Sequence, residues 1–160
     1  MPDKIRRTKR LGLSSFISKL VRTNYETGIN GEGLDTVKNL SVYLIRRVAE
    51  NVNIIMERNR TSTVTTALVE FGYKLLLCDL EMCQEALDFG HSSISTYDKN
   101  RGNKKTKSQS KNTTSGLVFP VTRIEHIFMK NSTIDRKSRH FPIFLAAVTQ
   151  YLVEQVLNGA

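Results

Sequence analysis

The stretch that most constrains the fold is residues 34–58, LDTVKNLSVYLIRRVAENVNIIMER, which holds neither Gly nor Pro. Leu34, Val37, Leu40, Leu44, Val48, Val52 and Ile55 recur at steps of three or four, the repeat of one face of an α-helix. At about 1.5 Å per residue such a helix runs roughly 37 Å, long for a globular domain. Val42, Tyr43, Ile45, Ala49, Ile54 and Met56 widen the apolar surface beyond a single stripe. Such a helix needs cover on more than one side. Short helices of its own fold cover one side, and a partner must cover another.

The flanking segments are short and mostly helical in pattern. Residues 15–23 carry Phe16, Leu20 and Val21, two or three helical turns, before a loop freed by Gly28, Gly31 and Gly33. After the long helix, Thr61, Thr63, Val64 and Thr65 favour a brief extended segment. Thr65 then caps a helix over 66–77 with Leu68, Val69, Tyr73, Leu76 and Leu77 on its apolar positions. A fourth helix over 79–97 presents Cys83, Leu87, Gly90, Ile94 and Tyr97, with Met82 and Ala86 widening that face. Residues 99–114 then read as a basic linker. Beyond it, Pro120 stands near the first turn of a short helix with Val121, Ile124, Ile127 and Phe128 on one face. Pro142 opens a last helix with Leu145, Val148, Leu152 and Val156 aligned. Short helix, basic loop and longer helix thus begin a second time.

The chain has 160 residues, room for one domain or two small ones, and carries a formal charge of +9. That excess points to polyanions, nucleic acid first and an acidic membrane surface second. Residues 1–10 form a basic arm with Lys4, Arg6, Arg7, Lys9 and Arg10 against Asp3 alone. No apolar run is long enough to span a bilayer, and no secretory core follows the arm. Cys78 and Cys83 read as reduced packing cysteines without a ligand set. The N-x-S/T triplets at Asn39, Asn59, Asn112 and Asn131 read as chance matches. His91, His126 and His140 form no metal-ligand spacing, and no nucleophile–base constellation or phosphate-cradling loop is present. The expectation is a protein that is not an enzyme, with no cofactor, no metal and no small-molecule substrate.

Several motifs resemble the core histones. ETGI at 26–29, RRVAE at 46–50, NRTSTVT at 59–65 and KLLL at 74–77 are similar to the H-two-B class. GLVFPVTRI at 116–124, Asp135–Arg136 and PIFLAAVTQYL at 142–152 are similar to the H-two-A class. Fusions in this order resemble the histone doublets of large DNA viruses of the Marseillevirus group. The resemblance implies an all-α chain of two histone folds paired as an intramolecular handshake, the second lacking its last helix. The organisation expected is a basic arm over 1–10, an H-two-B-like fold with a C-terminal helix over 11–98, a linker over 99–114, and a truncated H-two-A-like fold over 115–160. The linker raises the effective concentration of the two halves.

The same resemblance implies structural packaging of double-stranded DNA, in a virion, a host nucleus or a viral factory, with an H-three/H-four-like histone or doublet as partner. Contact is expected without base readout, as in the histone octamer, which is itself the standard instance of backbone-plus-deformability binding. Arg6, Arg7, Lys9, Arg10, Arg60, Thr63, Arg123, Lys130, Arg136, Lys137 and Arg139 are the implied DNA contacts. Five of them, Arg60, Thr63, Arg136, Lys137 and Arg139, are expected on one basic ledge where two loops meet. Leu68, Tyr73, Leu76 and Leu77 are the implied partner contacts. Where nucleosomes carry an acidic patch, this chain has Gln150, Gln155, Asn158 and Phe89, with Glu81 remaining acidic. The bland alternative for the ledge is a solvated basic surface. Rival functions are a histone-fold transcription-regulator subunit, which would need a base-reading segment, and a basic amphipathic membrane binder.

Overall fold

The computed structural model describes residues 13–25, 28–102, 111–134 and 136–159. Arg6, Arg7, Lys9 and Arg10, residues 103–110 of the expected linker, and Asp135 therefore lie outside the described residues. The described residues are all-α apart from two strands of two residues each. Helix α1 (Ser14–Asn24) leads through the glycine loop to α2 (Gly31–Asn59). Strand β1 (Thr63–Val64) precedes α3 (Thr66–Leu76), and α4 (Leu80–Gly102) follows. After the linker come α5 (Lys111–Ser115), α6 (Val121–Lys130), β2 (Arg136–Lys137) and α7 (Phe141–Asn158).

Capping chemistry sets several of these boundaries. Helix α2 begins three residues before the apolar pattern does, because the Asn30 side chain accepts a hydrogen bond from Gly33 N at 2.7 Å. It ends at Arg60, whose φ of 53° is left-handed, with Thr61 N donating back to Met56 O. Thr65 caps α3 as expected, accepting from Leu68 N. Asp79 accepts from Met82 N at the start of α4. Pro120 and Pro142 sit at the starts of α6 and α7, where a missing N–H costs nothing.

The expected stripe on α2 is corrected by one residue. The deepest positions are Val37, Ser41, Ile45, Val48, Ala49, Val52 and Met56, drawn from both apolar sets. Ser41 reaches this depth because its hydroxyl donates to Val37 O, four residues back. Leu40 and Leu44 instead line an open groove with Leu77, Met82, Leu152 and Val156. Tyr43 and Ile54 are exposed.

The most deeply covered helix is α7. Every residue from Phe141 to Gln150 is buried, because α2, α3, α4 and α6 all pack on it. Its broadest contact is with α4, where Gly90 lets the Phe144 ring and Val148 come against the α4 backbone. One apolar core runs from Leu13 through Val153 and joins both halves of the chain.

The expected linker is shorter than 99–114. Helix α4 continues through Gly102, since nothing breaks it after Tyr97, and Lys111–Ser115 forms α5 against it. Asn100 fastens the two by donating to Thr114 O at 2.8 Å. Asn112, read from the sequence as half of a chance triplet, is a hub: its amide donates to Leu117 O and Phe119 O and accepts from Val121 N. Cys83 is buried as a packing residue, whereas Cys78 is exposed.

Candidate nucleic-acid interface

Strands β1 and β2 pair in parallel, with Thr63 opposite Arg136 and Val64 opposite Lys137. Ser138 N donates to Val64 O at 2.8 Å and carries the pairing one residue further. The β-branched pair Thr63–Val64 suits this extended bridge, and Val64 is fully buried beneath it. The loop leading into β2 is tied to α2 through Asn53. Its amide donates to Asn131 O at 3.1 Å, and its oxygen accepts from the Ser132 hydroxyl at 3.0 Å. Sequence periodicity had no means of assigning Asn53 this role, since an exposed-looking Asn on a helix carries no pattern.

The pairing sets Thr63 opposite Arg136 and Val64 opposite Lys137, with Arg60 shortly before β1 and Arg139 shortly after β2 in the chain. Arg60, Arg136, Lys137 and Arg139 are exposed and Thr63 is partly so. Arg136 also lines an open groove of about 710 Å³ with Asn53, Glu57, Thr61 and Ile134. Two other expected contacts lie on α6. Arg123 is half-buried, its guanidinium 4.8 Å from the centre of the Phe16 ring, where it joins α6 to α1 by a cation–π contact. Lys130 is exposed in the last turn of α6 and is not drawn into the strand pair.

Lys137 is not a free cation either. Its ammonium pairs with the carboxylate of Glu125 on α6, and Lys111 at the start of α5 pairs with the other carboxylate oxygen at 3.7 Å. Glu125 is buried, in a helix position that the apolar pattern left unassigned.

At the other end of the molecule the glycine loop borders an open groove of about 650 Å³. Val21, Tyr25, Ile29, Val37, Val156 and Leu157 form its apolar lining. Tyr25 donates across it to the Asn158 side chain. No second strand pair forms there among the described residues.

The expected partner contacts divide. Tyr73 is corrected: it is fully buried, and its hydroxyl meets Thr149 Oγ1 at 2.7 Å and Leu145 O at 3.3 Å, so it faces α7. Burial pushes its phenol well above the usual range, partly offset by the Thr149 bond. Leu68, Leu76 and Leu77 are half-buried against the core. The exposed apolar surface beside them is Phe71, Leu75 and Leu80. Phe71 and Leu75 stand four apart on the face of α3 opposite Val69 and Tyr73, a spacing legible in the sequence.

Gln150 and Phe89, at two of the expected patch positions, have structural roles. Gln150 is buried, and its Oε1 accepts from Val118 N and Phe119 N, both at 3.0 Å. Tyr151 donates to Glu85 at 2.6 Å, and that bond, with partial burial and the charge of Glu154, pushes its phenol up to about 12. Phe89 packs on the Tyr151 ring at 5.8 Å between centroids.

Among the described residues, no group of three or more His, Cys, Asp and Glu side chains is placed to hold a metal ion. None of their helices is long and apolar enough to cross a membrane. No protein-family model matches the chain.

Proposed function

We propose that the chain is a fused pair of histone folds that packages double-stranded DNA in nucleosome-like particles with H-three/H-four-like partners. In this reading α1, α2 and α3 make the first fold, α4 is its tail helix, and α6 and α7 belong to the second. The observation that carries it is the parallel pairing of β1 with β2, which sets Thr63 opposite Arg136, with Arg60 and Arg139 a few residues away along the two loops. Head-to-tail pairing of two such folds places the loop after one long helix beside the loop before the other. A short strand bridge with arginines on both loops suits the phosphate backbone and offers no base-reading helix. The packing of α7 on α2 and α3 also supports a handshake within one chain. Phe71, Leu75 and Leu80, next to half-buried Leu68, Leu76 and Leu77, give the apolar surface for the histone partner.

The test is a salt titration of the full chain on several unrelated duplexes. With roughly five phosphates neutralised, log affinity against log salt has a slope near −4 or −5 on each of them. Replacing Arg60 and Arg136 together by Ala lowers that slope by about two units on every sequence. A strong preference for one duplex, or a slope that ignores the double substitution, would refute the proposal.

A further inference from the structure

Glu125 is nine-tenths buried, yet both of its partners are lysines whose side chains are about half exposed. A carboxylate at that depth is costly unless a cation stays with it. Two ammoniums share the duty, one from α5 beside the linker and one from β2 on the ledge. A lysine on its flexible four-carbon stem swings away from a partner readily, unlike an arginine locked in a bidentate fork. Either lysine is free to leave while the other remains. Both leaving at once strands a buried negative charge.

We infer that Glu125 is a built-in competitor of DNA phosphate at the ledge: it retains one of Lys111 and Lys137 at all times and yields the other. The two lysines therefore neutralise one phosphate between them instead of two. This deepens the DNA-packaging reading and rests on it. The arrangement also couples the linker to the ledge, because a phosphate that takes Lys137 leaves Lys111 as the cation that Glu125 must keep. The basic residues of the ledge are thus not equivalent. Arg60, Arg136 and Arg139 act as permanent phosphate contacts, and Lys137 is exchanged.

The experiment compares the full-length chain with its Glu125→Gln variant in salt titrations on the same duplex, with circular dichroism to confirm folding. Releasing the second lysine steepens the slope by about 0.9, which makes binding about eightfold tighter at 0.1 M salt relative to the 1 M limit. Adding Lys137→Ala to Glu125→Gln returns the slope to that of the unsubstituted chain. Glu125→Leu, whose apolar side chain suits a buried site, gives the same reading if the amide disturbs folding. An unchanged slope in a folded Glu125 variant overturns the inference while leaving DNA binding intact. If the unsubstituted chain itself shows no salt-dependent binding, the packaging reading fails first, and the two failures are distinct.

Discussion

Replacing Gly90 by Ala tests the joint between the two halves of the chain, because α4 against α7 is their broadest contact. A Cβ on residue 90 falls 2.7 Å from two ring carbons of Phe144 and 2.9 Å from a Val148 methyl. Carbon atoms in good contact stand about 3.5–4.0 Å apart, so the overlap is roughly an ångström. The ring has nowhere to go. Phe144 is fully buried, so the ring meets packed neighbours whichever way it shifts. Overpacking of this kind costs about 1–3 kcal/mol, and a site with no slack belongs near the upper end. Alanine recovers about 1 kcal/mol of helix propensity in return. The net expectation is a loss of about 2 kcal/mol, read in urea unfolding followed by circular dichroism as a lower midpoint at unchanged slope. In a chain of this size the melting temperature falls by about 4–8 °C. Gly31→Ala, with nothing within 4 Å of the added carbon, is the control and stays within experimental error or gains slightly. A Gly90→Ala protein as stable as the parent would refute the close approach of α4 and α7.

Arg60 holds a left-handed backbone, so Arg60→Gly is expected to exceed Arg60→Ala in stability by about 1 kcal/mol, while both lose about one unit of salt slope on DNA. Equal stability in thermal melts would remove the strain argument and leave the phosphate argument standing. Tyr73→Phe removes a buried hydroxyl bonded to Thr149 and is expected to cost about 1 kcal/mol at neutral pH. Because the folded-state pKa of Tyr73 is raised, the unfolded chain ionises first: this part of the stability is fully present below pH 10 and drains away as pH rises toward the folded value. The Phe variant is therefore less sensitive to alkaline denaturation, and identical pH profiles from pH 9 to 12 would contradict the burial. Leu75→Glu, on an exposed position, should leave the urea midpoint within about 0.5 kcal/mol of the parent yet block assembly with an H-three/H-four-like partner. Undiminished assembly in sedimentation would place the partner surface elsewhere.

Much of the helical framework is legible in the order of residues alone. Three-and-four spacing along 34–58 specifies a long helix needing cover on several sides, since the repeat is a property of one segment and its own backbone. Thr65, Pro120 and Pro142 mark helix starts for equally local reasons, a hydroxyl for an orphan N–H or a ring that lacks one. The excess of positive charge is likewise a sum over residues and needs no fold.

Depth and adjacency are another matter. Ser41 lies at the centre of the buried face of α2, and no hydrophobicity pattern names a serine there. Helix α7, shorter than α2, is the better covered of the two, because four other helices converge on it. Residues 99–102 read as linker by composition, yet α4 keeps its hydrogen-bond ladder through them and packs α5 beside it. Glu125 looks like a solvated helix charge until α5 and β2 deliver Lys111 and Lys137 to it from 14 and 12 residues away. Gly90 reads as a helix weakness until Phe144 arrives against it. Periodicity records how a segment meets its own turn above and below. Which side chain meets which across the core depends on the angles and offsets between helices, and those are settled when all the surfaces are buried together.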